Sequence, residues 1–380
     1  MSSLKHADGT ENSPTIFLIS FSFFSAVKAQ KDSTHFVMTW QTDLAGFSND
    51  SALVIGTNSL YTYNYDVDWD NDGIFDTLSV TSDLAIQYPS PGTYTIRIRG
   101  IFPAIDFAGS LVGSRDPKKI LSINQWGTIA WATMYWAFID CSNMVCSATD
   151  APNLSNVSDI SGMFRNATNF TGDLSNWDVS NISYMIGVFE EATQFNSDIS
   201  NWNVSNVVNM GGLFHRAFSF NQDISSWDIQ NVNSMVGIFQ YSGISRTNYD
   251  QMLNSWQAKP HQLNVTVGAE GLTYCLGDSA RNLLIADGWT FSGDSLDCLA
   301  IGLNENDLVS NIQFYPNPAT STITIESELP VSQINIYSML GKLVKSSQLN
   351  VLYIEDFPKG NYIFEIVTKH GVKKELLVKE

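Results

Sequence analysis

The chain has 380 residues, 38 Asp and Glu against 20 Lys and Arg, a formal charge of -18, and 44% hydrophobic but only 15% charged residues. That length supplies several domains with ample buried cores and excludes disorder as a description of the whole. Residues 30–300 hold 27 acidic and 11 basic side chains while residues 311–380 hold seven of each; so acidic a surface repels phosphate backbones and anionic headgroups, which argues against nucleic acid and membrane surfaces as partners.

In chain order, the apolar run Ile16 to Val27 is about 12 residues, short of the roughly 20 that span a bilayer, so no transmembrane span is expected. It reads as the apolar part of a signal peptide over 1–29, with Val27-Lys28-Ala29 offering a cleavage site after Ala29. Residues 30–118 follow as a small β-sandwich. Its signals are a strand over His35–Gln41 and a Pro-Gly turn, PGTYTIRIRG, with strict alternation over Tyr94, Ile96 and Ile98. Between these lies DWDNDGIFD, which sets Asp68, Asp70, Asp72 and Asp76 at positions 1, 3, 5 and 9 of a loop with Gly73 at position 6. This is the early spacing of a calcium loop, although position 12 is Ser79 rather than a bidentate Glu. The four aspartates are candidate calcium ligands, with an ordinary acidic turn as the alternative reading.

Residues 119–242 repeat with a period of 25. Phe164, Phe189, Phe214 and Phe239 fall in one column, Phe170, Phe195 and Phe220 in a second, Trp177, Trp202 and Trp227 in a third, and Met185, Met210 and Met235 in a fourth. Units of this size cannot bury their own apolar face, so they stack into a solenoid with internal aromatic ladders. Within a unit, F-x-x-A-x-x-F fits a short helix or helical turn and DISNWNV a short strand. Asn181, Asn206 and Asn231 stand at a corner whose backbone they can bond. Diverged entry units are expected over 120–160. Asp173, Asp198 and Asp223, with Asp178, Asn203 and Asp228 beyond the Trp column, form a repeated acidic face: either the solvated face any solenoid needs or a ligand face for a glycan or cationic partner. A cap follows over 243–300, with helices at 243–257 and near 279–286, then a linker over 301–310 and a second small β-sandwich over 311–380.

Cys141, Cys146, Cys275 and Cys298 suit an oxidising compartment. Their spacings would allow local pairs 141/146 and 275/298, but four cysteines permit three connectivities. The five histidines are scattered, and no zinc-protease, phosphate-loop or dinucleotide motif is present, so no catalytic residue is expected.

Three segments carry resemblances. The pattern MF-x-x-A-x-x-F-N-x-D-I-S-x-W-D-V-S-N-V, with the closing YCLGDSARNLLIADGWTF, resembles the repeats of BspA-like leucine-rich-repeat surface proteins of bacteria, over roughly residues 120–298; this implies a leucine-rich-repeat-like solenoid with an adhesive role. The Asp-rich turn with PGTYTI resembles PKD-type immunoglobulin-like modules. The tail, with its YPNP opening, YSMLGK turn and GNYIF strand, resembles the type A C-terminal sorting domain of the type IX secretion system of Bacteroidota. That implies Sec export, engagement of the secretion machinery, and a mature protein secreted or attached to the outer cell surface. The expectation is therefore a multidomain, mainly β chain with short helices, a solenoid flanked by two immunoglobulin-like sandwiches, acting in adhesion or glycan recognition. A passive surface structural protein and an extracellular polysaccharide-active enzyme are the alternatives.

Overall fold

Alternating apolar residues near the amino end form β1 (Phe36–Gln41), β2 (Ala52–Ile55), β3 (Asn64–Asp68), β4 (Thr77–Val80), β5 (Leu84–Gln87) and β6 (Thr93–Ile101). The structure, a computed structural model, describes residues 32–108, 115–298, 312–327, 330–339, 341–368 and 371–380; the expected signal peptide (1–29) and linker (301–310) lie outside the described residues. What is described is mainly β, in several small sheets, with two short α-helices. Phe36 and Met38 of β1 register against Ile98 and Ile96 of β6, and all four are fully buried. β7 (Ile120–Gln125) and β8 (Val145–Cys146) complete a six-stranded sheet in the order β4-β3-β6-β1-β7-β8, while β2 and β5 pair separately. β7 runs antiparallel to β1 and parallel to β8. The segment just after the expected boundary at 118/119 thus joins the amino-terminal sheet to the chain that follows, and Phe36, Trp126, Trp131 and Phe138 lie in one apolar cluster with the repeat columns.

From residue 129 to 242 each stretch of about 25 residues bonds to its neighbours. The amides of Phe164, Phe189, Phe214 and Phe239 donate to the carbonyls of Val188, Leu213, Ile238 and Gly268. Single parallel bridges link Asp159, Tyr184, Asn209 and Ser234. Inside, Phe138, Phe164, Phe189, Phe214 and Phe239 stack at 5.9–6.1 Å between successive ring centroids. A second column is bound to the first by close pairs, Phe189–Phe195 at 3.7 Å and Phe214–Phe220 at 3.8 Å. The Asn column donates to carbonyls one stretch back, Asn206 to Ser180 and Asn231 to Ser205, both at 2.7 Å. Trp202 and Trp227 likewise donate their indole N–H to Leu174 and Ile199. Side-chain donors at the surface (Asn206, Asn231) and in the interior (Trp202, Trp227) thus tie one stretch to the next.

Of the short helix or helical turn expected within each unit only turns form, and the expected short strand does not. F-x-x-A-x-x-F is a series of turns, because each unit holds two left-handed residues: a glycine (Gly162, Gly187, Gly212, Gly237) and, four residues on, Asn166, Glu191, Arg216 or Tyr241. A left-handed residue interrupts any right-handed helix, so the i, i+3, i+6 spacing here marks a tight polygon of turns instead. DISNWNV is also turned, the amide of Trp202 bonding back to Ile199.

The far end is closed by α1 (Arg246–Gln257), β9 (Thr266–Gly268), β10 (Thr273–Tyr274), α2 (Asp278–Ala286), β11 (Thr290–Ser292) and β12 (Ser295–Leu296). Ser245 caps α1 by accepting from the Asn248 amide. Trp256 of α1 lies over Phe239, covering the last ring of the column. The buried Asp250 accepts from the amides of Cys275, Leu276 and Gly277 at 2.9, 3.1 and 2.8 Å. Arg281 pairs at 2.8 Å with Asp294, whose side chain is buried, and lies 4.7 Å from the rings of both Tyr274 and Phe291. These contacts hold the segment against the last ring of the Phe column.

The tail comprises β13 (Gln313–Tyr315), β14 (Thr322–Glu326), β15 (Val331–Ser338), β16 (Leu343–Ser347), β17 (Val351–Tyr353), β18 (Gly360–Thr368) and β19 (Gly371–Lys379). These form sheets in the orders β13-β14-β17 and β16-β15-β18-β19, which share a separate apolar cluster including Ile323, Ile334, Ile336, Leu352, Phe364 and Ile366.

Candidate functional site

Hairpin closure between β3 and β4 builds the acidic loop. Val67 registers against Thr77, and the Asp76 amide donates to the Val67 carbonyl at 3.0 Å, so the two ends of the loop face each other. Gly73 takes a φ of +95°, a conformation that favours glycine, and its amide donates to Asp68 Oδ2 at 3.0 Å. Asp76 Oδ2 accepts from the Trp69 amide. The result is that one carboxylate oxygen from each of Asp68, Asp70 and Asp76 lies within 4.8 Å of the others.

Asp72 is not in this group. Its Oδ1 accepts from the Ile74 amide at 2.7 Å, so it shapes the turn. Asp68 is fully buried, and its Oδ1 has no hydrogen-bond partner. Desolvation raises its pKa above the usual carboxylate value, against the opposing pull of the Gly73 and Asn71 amides. A buried carboxylate oxygen without a donor is costly unless a cation or proton meets it. Three carboxylates converging on one point are the oxygen-donor chemistry of a hard divalent cation.

The repeated acidic face is arranged differently. Asp173, Asp178, Asp198, Asn203, Asp223 and Asp228 each accept, through Oδ1, the amide two residues on: Ser175, Ser180, Ser200, Ser205, Ser225 and Gln230. These are side-chain-closed turns. The hydroxyl and amide of the following serine lower the pKa of Asp173, Asp178 and Asp198, keeping them ionised.

Of the cysteines, Cys275 and Cys298 are disulfide-bonded, whereas Cys141 and Cys146 are free and buried. The local 141/146 pair is therefore corrected. Cys141 stands in the column of Ala167, Ala192 and Ala217, where a small apolar side chain fills the interior, and Cys146 lies in β8 against β7. Burial raises both thiol pKa values, that of Cys146 to about 11, so neither is a ready nucleophile.

A reading by motif passes over Tyr61, Tyr135 and Trp136, which line a cleft of about 790 Å³ between the amino-terminal sheet region and the first repeat stretch. The cue was present: Trp136 stands two residues before Phe138, where Gly162, Gly187, Gly212 and Gly237 stand two before their own Phe.

Residues 132–257 match the family model described as a Mycoplasma protein of unknown function, DUF285. Residues 313–380 match the secretion system C-terminal sorting domain. No curated protein matches the chain. The sorting domain makes this a secreted or cell-surface protein handled by the type IX secretion machinery, and no helix among the described residues is long and apolar enough to cross a membrane.

Proposed function

We propose that the protein is a non-enzymatic, outer-surface recognition or adhesion protein of BspA-like character from a member of the Bacteroidota. In this reading the 25-residue units form a leucine-rich-repeat-like solenoid, the amino-terminal sheets form a PKD-like module, and the tail is an immunoglobulin-like sandwich. The observation that carries it is the sorting domain at 313–380 following a long array of stretches bonded one to the next. Calcium is the cofactor of this reading, held by Asp68, Asp70 and Asp76, and the partnerless buried oxygen of Asp68 supports it. A passive surface structural role is the second reading, favoured by the engagement of each acidic-face side chain in its own turn. Whole-cell adhesion of a strain lacking the protein separates the two. A marked loss relative to the parent is expected, and adhesion equal to the parent's leaves only the passive role.

A further inference from the structure

The glycine column of the repeats has one substitution, and it faces a cleft. Gly162, Gly187, Gly212 and Gly237 have φ values of 59–67°, and their equivalent in the first stretch is Trp136 with φ 55°. Its amide makes the same inter-stretch bond as theirs, Trp136 N to the Ser161 carbonyl at 3.0 Å beside Gly162 N to Ile186 at 2.8 Å. A bulky residue in the left-handed region is a strained choice where the other units carry glycine. The indole lies over Gly162, where an added Cβ would come within 2.1 Å of it, and stacks at 10° and 5.1 Å on Tyr135, which is 48% exposed. Tyr61 and the highly exposed Leu60, from the loop between β2 and β3, line the same cleft.

The remaining lining is polar and held rigidly. Asp83 accepts from both the amide and the hydroxyl of Thr57 at 2.8 Å and forms an ion pair with Arg115 at 2.7 Å. Arg115 Nε also donates to the Asp106 carbonyl. The guanidinium is thus engaged by protein groups, and the cleft carries Asp83 and Asp106 on a chain of net charge -18. That charge disfavours phosphates, nucleic acid and acidic peptides, while the hydroxyl- and carboxylate-rich walls disfavour a lipid tail. A neutral sugar fits both kinds of wall, because its C–H faces pack on flat rings and its hydroxyl edges bond to Asp, Asn and Thr.

We propose that this cleft binds a neutral or N-acetylated oligosaccharide, with Tyr135, Trp136 and Tyr61 as the stacking surface. The inference rests on the recognition reading above and assigns it a site away from the acidic face. The test uses the full chain and its Trp136→Gly and Tyr135→Ala variants against cellohexaose, xylohexaose, mannohexaose, chitohexaose and oligogalacturonate, read by tryptophan fluorescence and calorimetry. Trp136→Gly installs the residue that the backbone favours, so its Tm is expected to stay within about 5 °C of the parent's. Binding of at least one neutral or N-acetylated hexamer should weaken about tenfold or more in both variants. No binding to any of these hexamers, binding of oligogalacturonate alone, or unchanged affinity in Trp136→Gly overturns the proposal. Adhesion of cells carrying Trp136→Gly keeps the two readings apart: if deletion abolishes adhesion while this variant retains it, the cleft is wrong and the recognition reading stands.

Discussion

Two acidic regions of this chain look alike in sequence and differ in how their oxygens are employed. In the repeats, Asp173, Asp198 and Asp223 close their own turns and remain exposed, with pKa values held down at Asp173 and Asp198 by the serine that follows. In the loop after β3, Asp68 is buried with Oδ1 bare, and burial pushes its pKa up. An acidic ladder therefore indicates chain geometry when each carboxylate has a local donor. Converging carboxylates that include a buried oxygen without a partner are instead where the proposed calcium would sit.

The largest effect expected lies in the repeat interior that supports those turns. Phe189→Ala, opening a fully buried site between two stacked rings, should cost about 3–5 kcal/mol in a urea melt. A cost below about 1 kcal/mol would show that the column is not close-packed. Next comes calcium: at a hundred times its dissociation constant it should stabilise the chain by about 2.7 kcal/mol, seen as a rise in Tm that chelator reverses. Asp68→Asn should abolish that rise. If the variant keeps it, the loop is an ordinary turn and the contrast with the repeats disappears.

The contrast also has a pH signature. Because the folded state raises the Asp68 pKa, it binds that proton more tightly than the unfolded state, and without calcium its contribution to stability falls as pH climbs from the ordinary carboxylate value through the raised one. A cation offsets the loss, so the calcium-induced Tm shift should be small in acid and grow across that interval; a shift independent of pH would contradict the assignment. The smallest effect belongs to the acidic face. Asp198→Ala should cost about 1 kcal/mol, the scale of a lost side-chain cap, and leave the calcium response untouched.

Much of this organisation was legible in the residues themselves. The Phe, Trp and Asn columns were readable because a period of 25 repeats the same burial demand, and the Asn column does bond backbone that stacking would strand. The β6 alternation and α1 were equally plain, since Ile96 and Ile98 face the core and Ser245 caps the helix. The conformation within a unit was not legible, because periodicity reports which residues face inward and says nothing of the left-handed backbone at Glu191 or Arg216. Nor could the loop spacing separate Asp72, which bonds Ile74, from Asp76, which the hairpin brings back beside Asp68.

By itself, then, the sequence determined the 25-residue spacing of the apolar columns, the sorting tail and the acidic character of residues 30–300, since these follow from composition and local pattern. Only the tertiary structure decided that Cys275 pairs with Cys298 while Cys141 serves as a core side chain. It alone left Asp68 with a buried oxygen that no donor meets, and it brought Trp136 and Tyr61 to the lining of one cleft. Each of these depends on which distant backbone comes to lie beside a side chain, and that is fixed by the packing of the whole chain and not by its local spacing.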